Sequence, residues 1–527
     1  MTGAAPRWAL SRRRLLGLAA GAAAAGVAGF AVPTLGSTRE PGSLLPSLLP
    51  LPTPFRVPLP IPPVPAPARH PDYPDADFHD LTDRVAHPEI VPGTRTEIWG
   101  AEGLFPGPTL VSRRGRRTVV RRRNELPVPT VNHLHGGHVP AASDGFPTDL
   151  VYPAGTGAMA GIPGMPGMPH DPLAATSVGY RDYDYPMDQR AATLWYHDHR
   201  MGFTAPDVWR GLAGFHLVHD DEEDALGLPR GDRDIPLMIC DRSFGEDGSF
   251  RYPALDPTLL ATPGVQSSFM DGVLGDVVLV NGAPWPVLEV SACRYRFRLL
   301  NASNARRYRL VLDPPPPGGG GLVQIGSDGG LLPRPVAHDA LEIAPAERFD
   351  VVVDFSRYRA GDEITVRNAF GSGGTGAVLR FRVTGPVHDD SRIPDRLSES
   401  PGLDPALAEV TRDFRFQSRG GEWRINGELF DPARPLVTPR LGATEIWRFV
   451  TDFHHPVHLH LAQFQVLSRN GAAPGPYDAG WKDTLDLQPA EAAEVIVRFT
   501  GYRGRFVLHC HNLEHEDMAM MATVTVV

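Results

Sequence analysis

Short runs rich in β-branched and apolar residues, such as RFDVVVDF (348–355) and EVIVRF (494–499), alternate along this chain with turns built on glycine and proline. No long stretch with helical periodicity occurs beyond the N-terminus, so the pattern predicts strands and turns, not helical bundles. Composition agrees: Gly and Pro number 55 each, and 42% of residues are hydrophobic, enough for real cores. At 527 residues the chain is too long for one ordinary domain.

The pattern also repeats. LEIAPAERFDVVVDFSRYRAGDEITVRN (341–368) matches LDLQPAEAAEVIVRFTGYRGRFVLHCHN (485–512) without gaps at an offset of 144, and FRLLNASNARRYRLV (297–311) matches WRFVTDFHHPVHLHL (447–461) at an offset of 150. Both copies of the longer match run from PAE through an apolar strand and a Tyr-Arg turn to a second strand. A duplicated β-domain is the expected cause. A third, more divergent β-domain is expected ahead of these. The predicted organisation is 75–222, 223–390 and 405–527, with an extended Pro-rich linker over 41–74. Residues 1–40 contain adjacent arginines (Arg12, Arg13, Arg14) followed by a weakly apolar Ala/Gly run. This predicts a twin-arginine export signal of a bacterial protein, hence a location beyond the cytoplasmic membrane and no membrane span once it is removed.

Charge adds little. The net charge of −10 is modest and spread out, so no nucleic-acid partner is expected. Three cysteines (Cys240, Cys293, Cys510) are too few for a disulfide framework; Cys240 and Cys293 remain open as a pair or as buried thiols.

Histidine carries the chemistry. His133/His135, His197/His199, His458/His460 and His509/His511 are four His-x-His pairs, where random placement of 20 histidines gives roughly 0.8. Residues i and i+2 share a strand face, so each pair offers two imidazoles to one pocket. Two pairs lie in the first domain and two in the last, which predicts a metal cluster where those domains meet, with copper favoured by eight neutral imidazoles. Cys510, between His509 and His511, must face the other way. With His455, His515 and nearby methionine sulfur it forms a thiolate–imidazole set of blue-copper type; zinc, the competitor, usually takes more thiolates. In the silent copy Thr365, Val366 and Arg367 stand opposite His509, Cys510 and His511, so the framework does not need its ligands to fold.

HLHGG, LWYHDH, HPVHLH and HCHNLEHEDMAMM together resemble the four copper-binding motifs of the multicopper oxidases, in the three-domain branch with spore-coat laccase, bilirubin oxidase and phenoxazinone synthase. The resemblance covers nearly the whole chain after about residue 55 and extends to LLNASNAR, GSDGGLL and PAERFDVVVDF. It implies three cupredoxin-like Greek-key domains and four copper ions. By motif, the type 1 ligands are His455, Cys510, His515 and Met520, and the type 2 ligands are His133 and His458. The type 3 pair takes His135, His197, His199, His460, His509 and His511. Asp144 and Glu516 match the family's acidic residues near the cluster and are the expected proton donors. His138 and His454 adjoin motifs without matching a ligand position. The implied reaction is one-electron oxidation of a small phenolic or aromatic donor coupled to reduction of O2 to water.

The chain departs from the family in a loop over 154–172 containing Met159, Met165 and Met168. Soft thioethers there keep a cuprous oxidase in copper tolerance as an alternative, beside a bilirubin-oxidase-like enzyme. Trp481, in AGWKDT, lies where the family has a loop near the type 1 site.

Overall fold

The computed structural model describes residues 41–155, 171–399 and 401–527; the expected export signal and Met159, Met165 and Met168 lie outside the described residues. The described chain is all-β, as the pattern predicts, with only short helices between strands.

One arrangement of strands occurs three times. In each case an early strand runs parallel to a later one, and that later strand pairs antiparallel with a third. The triplets are Tyr73–Ala86, Thr118–Asn124 and Tyr180–Tyr185; Asp234–Arg242, Arg294–Asn301 and Arg348–Asp354; and Val410–Arg419, Thr444–Thr451 and Ala492–Arg498. Each has an accompanying sheet in which one parallel pair is followed by two antiparallel pairings. Its members are Gly107–Arg113, Ala213–His219, Ala192–Asp198 and Asn132–His135 in the first case. They are Val287–Val290, Ala377–Val383, Glu363–Asn368 and Tyr308–Asp313 in the second. In the third they are Pro435–Val437, Met521–Val526, Gly504–Cys510 and His455–Leu459. These crossed connections are those of Greek-key sandwiches.

The internal repeat is visible in the backbone. Strands Arg294–Asn301 and Thr444–Thr451 are offset by 150, and Ala340–Ile343 and Thr484–Leu487 by 144. Even the PAE turn is copied, with the alanine left-handed in both copies (φ 71° at Ala346, 58° at Ala490). Alternation drives the packing: in Val410–Arg419, Phe414 and Phe416 point inward to meet Trp447 and Phe449. A larger core around Phe297, Val351, Val353 and Phe381 fills the middle sandwich.

The Pro-rich stretch after residue 41 is extended, and it is docked. Ser43 N–H donates to the Gly272 carbonyl and Leu59 N–H to that of Val287, each at 2.8 Å, while Leu49 and Leu59 enter the middle core. Proline has no N–H to donate, so these docking bonds come from the residues between the prolines. Cys240 and Cys293 are both buried free thiols. Among the described residues no helix is long and apolar enough to cross a membrane.

Candidate metal centre

The four His-x-His pairs lie on, or one residue past the end of, two strand pairs that occupy the same place in the first and third sandwiches. Asn132–His135 pairs antiparallel with Ala192–Asp198, so His133 stands opposite His197. His455–Leu459 pairs with Gly504–Cys510, so His458 stands opposite His509. Extended backbone turns alternate side chains to one face, and the two faces meet. His133 stacks on His460 with ring centroids 3.8 Å apart, and His135 stacks on His458 at 3.6 Å. His460 Nε2 and His509 Nε2 are 3.2 Å apart, and His199 Nε2 is 3.3 Å from His509 Nε2. His511 lies 5.0 Å from His135 and 5.2 Å from His197, ring to ring. All eight predicted histidines thus converge in one buried cluster.

Backbone carbonyls select the tautomers. The Nδ1–H of His133 donates to the Asp144 carbonyl (2.5 Å), that of His197 to Asp198 (2.8 Å) and that of His458 to Asp483 (2.9 Å). Each leaves its Nε2 directed inward without a hydrogen-bond partner. His135 is reversed: its Nε2 meets Asp483 Oδ1 at 3.0 Å, and Nδ1 is the unpartnered nitrogen. Both ring nitrogens of His511 also lack partners. Buried polar atoms normally find partners, and an orphan costs about 1–3 kcal/mol, so this many lone pairs in one pocket fits a cation site. Burial also holds the rings neutral, as ligation requires. The pKa values of His133, His135, His197, His460, His509 and His511 lie well below the usual imidazole range, chiefly through desolvation, and His199 falls to about 4.

Cys510 projects from the same strand to the opposite face. Its Sγ is 3.4 Å from His455 Nδ1 and 3.6 Å from His515 Nδ1, and those two nitrogens are 3.2 Å apart. The helix Leu513–Asp517, capped by the Asn512 side chain, returns His515 to this side. Met520 is fully buried beside them; its N–H donates to the His515 carbonyl and its carbonyl accepts from Cys510 N–H. Burial pushes the Cys510 thiol well above its usual value, so ionisation there requires a cation.

Asp144 and Glu516 are both buried against the cluster. Asp144 Oδ2 accepts from His460 Nδ1 at 2.7 Å, while its carbonyl holds His133. Glu516 Oε2 lies 3.1 Å from His509 Nδ1, and Oε1 lies 3.4 Å from His199 Nδ1. Desolvation raises both carboxyls above the ordinary range, Asp144 the more strongly. His138 turns away, with its ring nitrogens against the Asp188 and Thr500 carbonyls. The Trp481 loop reaches the histidine cluster, because Asp483, two residues on, touches His135 and His458.

Two site residues have no spacing signal in the sequence. Asp483 is one carboxylate among many until the fold brings it to His135. Trp423 lies flat on His515, centroids 3.7 Å apart at 28°, and edge-on to His455 at 5.5 Å. Its short strand Glu422–Ile425 carries no histidine or cysteine to mark it.

Comparison with known proteins agrees with this geometry. Residues 403–527 match one multicopper oxidase family model, and residues 84–158 and 154–223 match another. The chain is 37% identical over 483 residues to a laccase of Bacillus subtilis (strain 168), covering 81% of this chain and 89% of that one. It is 36% identical over 451 residues to a bilirubin oxidase of Albifimbria verrucaria, covering 81% and 72%. The crystal structure of a laccase from Pediococcus acidilactici superposes with a TM-score of 0.77 at 32% identity, covering 92% of this chain and 96% of that one. The chain therefore belongs to the multicopper oxidases and is a laccase-like copper oxidoreductase that uses O2 as electron acceptor.

Proposed function

We propose that the chain carries four copper ions: His455, Cys510, His515 and Met520 would hold a type 1 ion, His133 and His458 a type 2 ion, and His135, His197, His199, His460, His509 and His511 a type 3 pair. The observation that carries this reading is the strand Gly504–Cys510, whose end serves both sites: Cys510 faces one pocket while His509 and His511 face the other. When bound, copper supplies one-electron redox chemistry at the thiolate site and the four-electron reduction of O2 at the cluster. The chain's own part is positional. Carbonyls of Asp144, Asp198 and Asp483 aim imidazole lone pairs inward. The Cys510 backbone joins the two sites by a short covalent path. Asp144 and Glu516, whose carboxyls burial raises above the ordinary range, stand beside His460 and beside His199 and His509, placed to hand on the protons that O2 reduction would need.

Phenolic and aromatic reductants are the proposed donors, consistent with the laccase relatives. A second reading, oxidation of cuprous ion, is favoured by a cleft of about 530 Å³ whose wall includes Met201, Met518 and Glu422. Export by the twin-arginine route accompanies both readings. Cys510→Ser tests the assignment: blue absorption and oxidation of a phenolic donor are both lost, while copper at the histidine cluster persists. Normal turnover by that variant would sink the reading. A kcat/KM panel of phenols against cuprous ion separates the two donor classes.

A further inference from the structure

We propose that Arg348, from the sandwich that holds none of the ligands, is the positioning residue that sets His135 and His458 in the cluster, acting as a three-way clamp through Asp483. The proposal rests on the ligand reading above and concerns how those two rings are held.

Arg348 is fully buried, and all five of its guanidinium N–H groups are placed. Nε donates to the Thr193 carbonyl at 3.0 Å, on the strand that carries His197. Nη1 donates to Asp483 Oδ1 at 2.8 Å and to the Ala346 carbonyl at 2.9 Å. Nη2 donates to Asp483 Oδ2 and, at 3.2 Å, to the Asp328 carbonyl. One side chain of the middle sandwich therefore grips both the first and the third. The paired bonds to Asp483 are the planar fork a lysine cannot form. So held, Asp483 Oδ1 accepts from His135 Nε2 at 3.0 Å, which leaves His135 Nδ1 for the cluster, while its carbonyl fixes His458 Nδ1 at 2.9 Å. Asp328 anchors the other end: it accepts from Arg348 N–H at 2.8 Å and pairs with Lys482 Nζ at 3.2 Å, immediately before Asp483.

Two further observations point the same way. Gly136, the first glycine of HLHGG, has φ +84°, and a Cβ there would lie 2.6 Å from Arg348 Nη2 and 2.9 Å from Asp483 Oδ2. The glycine after the ligand histidines thus makes room for the clamp. In the internal repeat, Ala492 stands where the silent copy has Arg348. The ligand-free copy carries the arginine, whose side chain reaches Thr193 of the first sandwich and Asp483 of the third. Burying such a pair is weak evidence for stability alone, since desolvation offsets most of the attraction. A fork that fixes ring orientation is a role that uses its geometry.

The test compares copper-loaded wild type with Arg348→Lys, Arg348→Ala and Gly136→Ala. Chelator titration should show copper at the cluster held about 10–100-fold more weakly in each variant. The type 2 electron paramagnetic resonance signal should change its hyperfine splitting, while blue type 1 absorption stays as in wild type. Added guanidinium should restore the signal of Arg348→Ala, whose cavity can admit it, but not that of Arg348→Lys. If Arg348→Ala does not fold, Arg348→Lys and Gly136→Ala carry the test, because both keep a positive charge at the site. Wild-type copper retention and an unchanged type 2 signal in Arg348→Lys overturn the clamp and leave the ligand reading standing. A wild-type protein with no type 2 signal removes the ligand reading, and the clamp with it.

Discussion

Trp423 packs against both imidazoles of the thiolate site. Its indole covers one face of His515 and is locked by a 3.1 Å bond from Nε1–H to the Met270 carbonyl. Stacking excludes water from that face, and a dry pocket favours the reduced ion, which carries less charge. Trp423→Ala should therefore lower the type 1 reduction potential and cost about 3–5 kcal/mol of stability. Trp423→Phe, which keeps a ring on His515, should restore the potential. Redox titration checks both, and an unchanged potential in Trp423→Ala would remove the indole from the site. His216 shows the opposite use of an imidazole. It is buried in the first sandwich, its Nε2 2.7 Å from Ser112 Oγ, and desolvation lowers its pKa to about 3. A base whose folded pKa is depressed contributes full stability above its unfolded value near 6.5, and loses it as pH falls toward 3. At pH 5 the loss is about 2 kcal/mol, so His216→Gln should reduce the fall in denaturant-measured stability between pH 6.5 and 5 by about that amount. A wild-type slope in that variant would contradict the assignment.

Among elements, the strands that bear the His-x-His pairs were the most legible. Spacing of i, i+2 on an extended strand dictates a shared face, and Cys510 between two histidines dictates the opposite one, so the separation of Cys510 from His509 and His511 follows from parity, whereas His515 reaches the thiolate through a helix. The PAE repeat was equally readable, because the same left-handed alanine recurs at Ala346 and Ala490. Asp483, Arg348 and Trp423 were not, since nothing local marks one Asp, Arg or Trp among many; their partners lie 348, 135 and 92 positions away, at His135, Asp483 and His515. The Pro-rich segment marks another limit. Its composition predicts an extended chain but says nothing about what it lies against, and the fold lays it on the middle sandwich. Leu49→Ala and Leu59→Ala should accordingly each cost about 2–3 kcal/mol, toward the lower end for a core leucine because both sit near the surface. Urea midpoints check this, and a neutral pair of substitutions would show that the segment adds no core.

At the scale of the whole molecule, the cluster is a joint as well as a reaction site. Two strand pairs from sandwiches far apart in sequence present their imidazole faces to one another, and His133 Nε2, His135 Nδ1, His197 Nε2, His458 Nε2 and both nitrogens of His511 have no hydrogen-bond partner there. The sequence indicated which domains meet, because it placed two His-x-His pairs in each. It did not indicate that the middle sandwich reaches the contact through Arg348. Without a cation, the joint leaves buried lone pairs facing one another, which is unfavourable; a bound cation satisfies several at once. Metal that binds the folded chain and not the unfolded one stabilises by mass action, about 4.1 kcal/mol when free copper exceeds its dissociation constant a thousandfold. Removing copper with a chelator should therefore lower the unfolding temperature, and the loss should be larger in wild type than in a variant lacking His133 and His458. The first and third sandwiches share the proposed ligands, so without copper their unfolding should also uncouple, turning one calorimetric transition into two. Scanning calorimetry of loaded and chelated protein reads both effects. Superimposable thermograms would mean that the sandwiches are joined by their ion pairs and cores alone, with the histidines contributing nothing to the assembly.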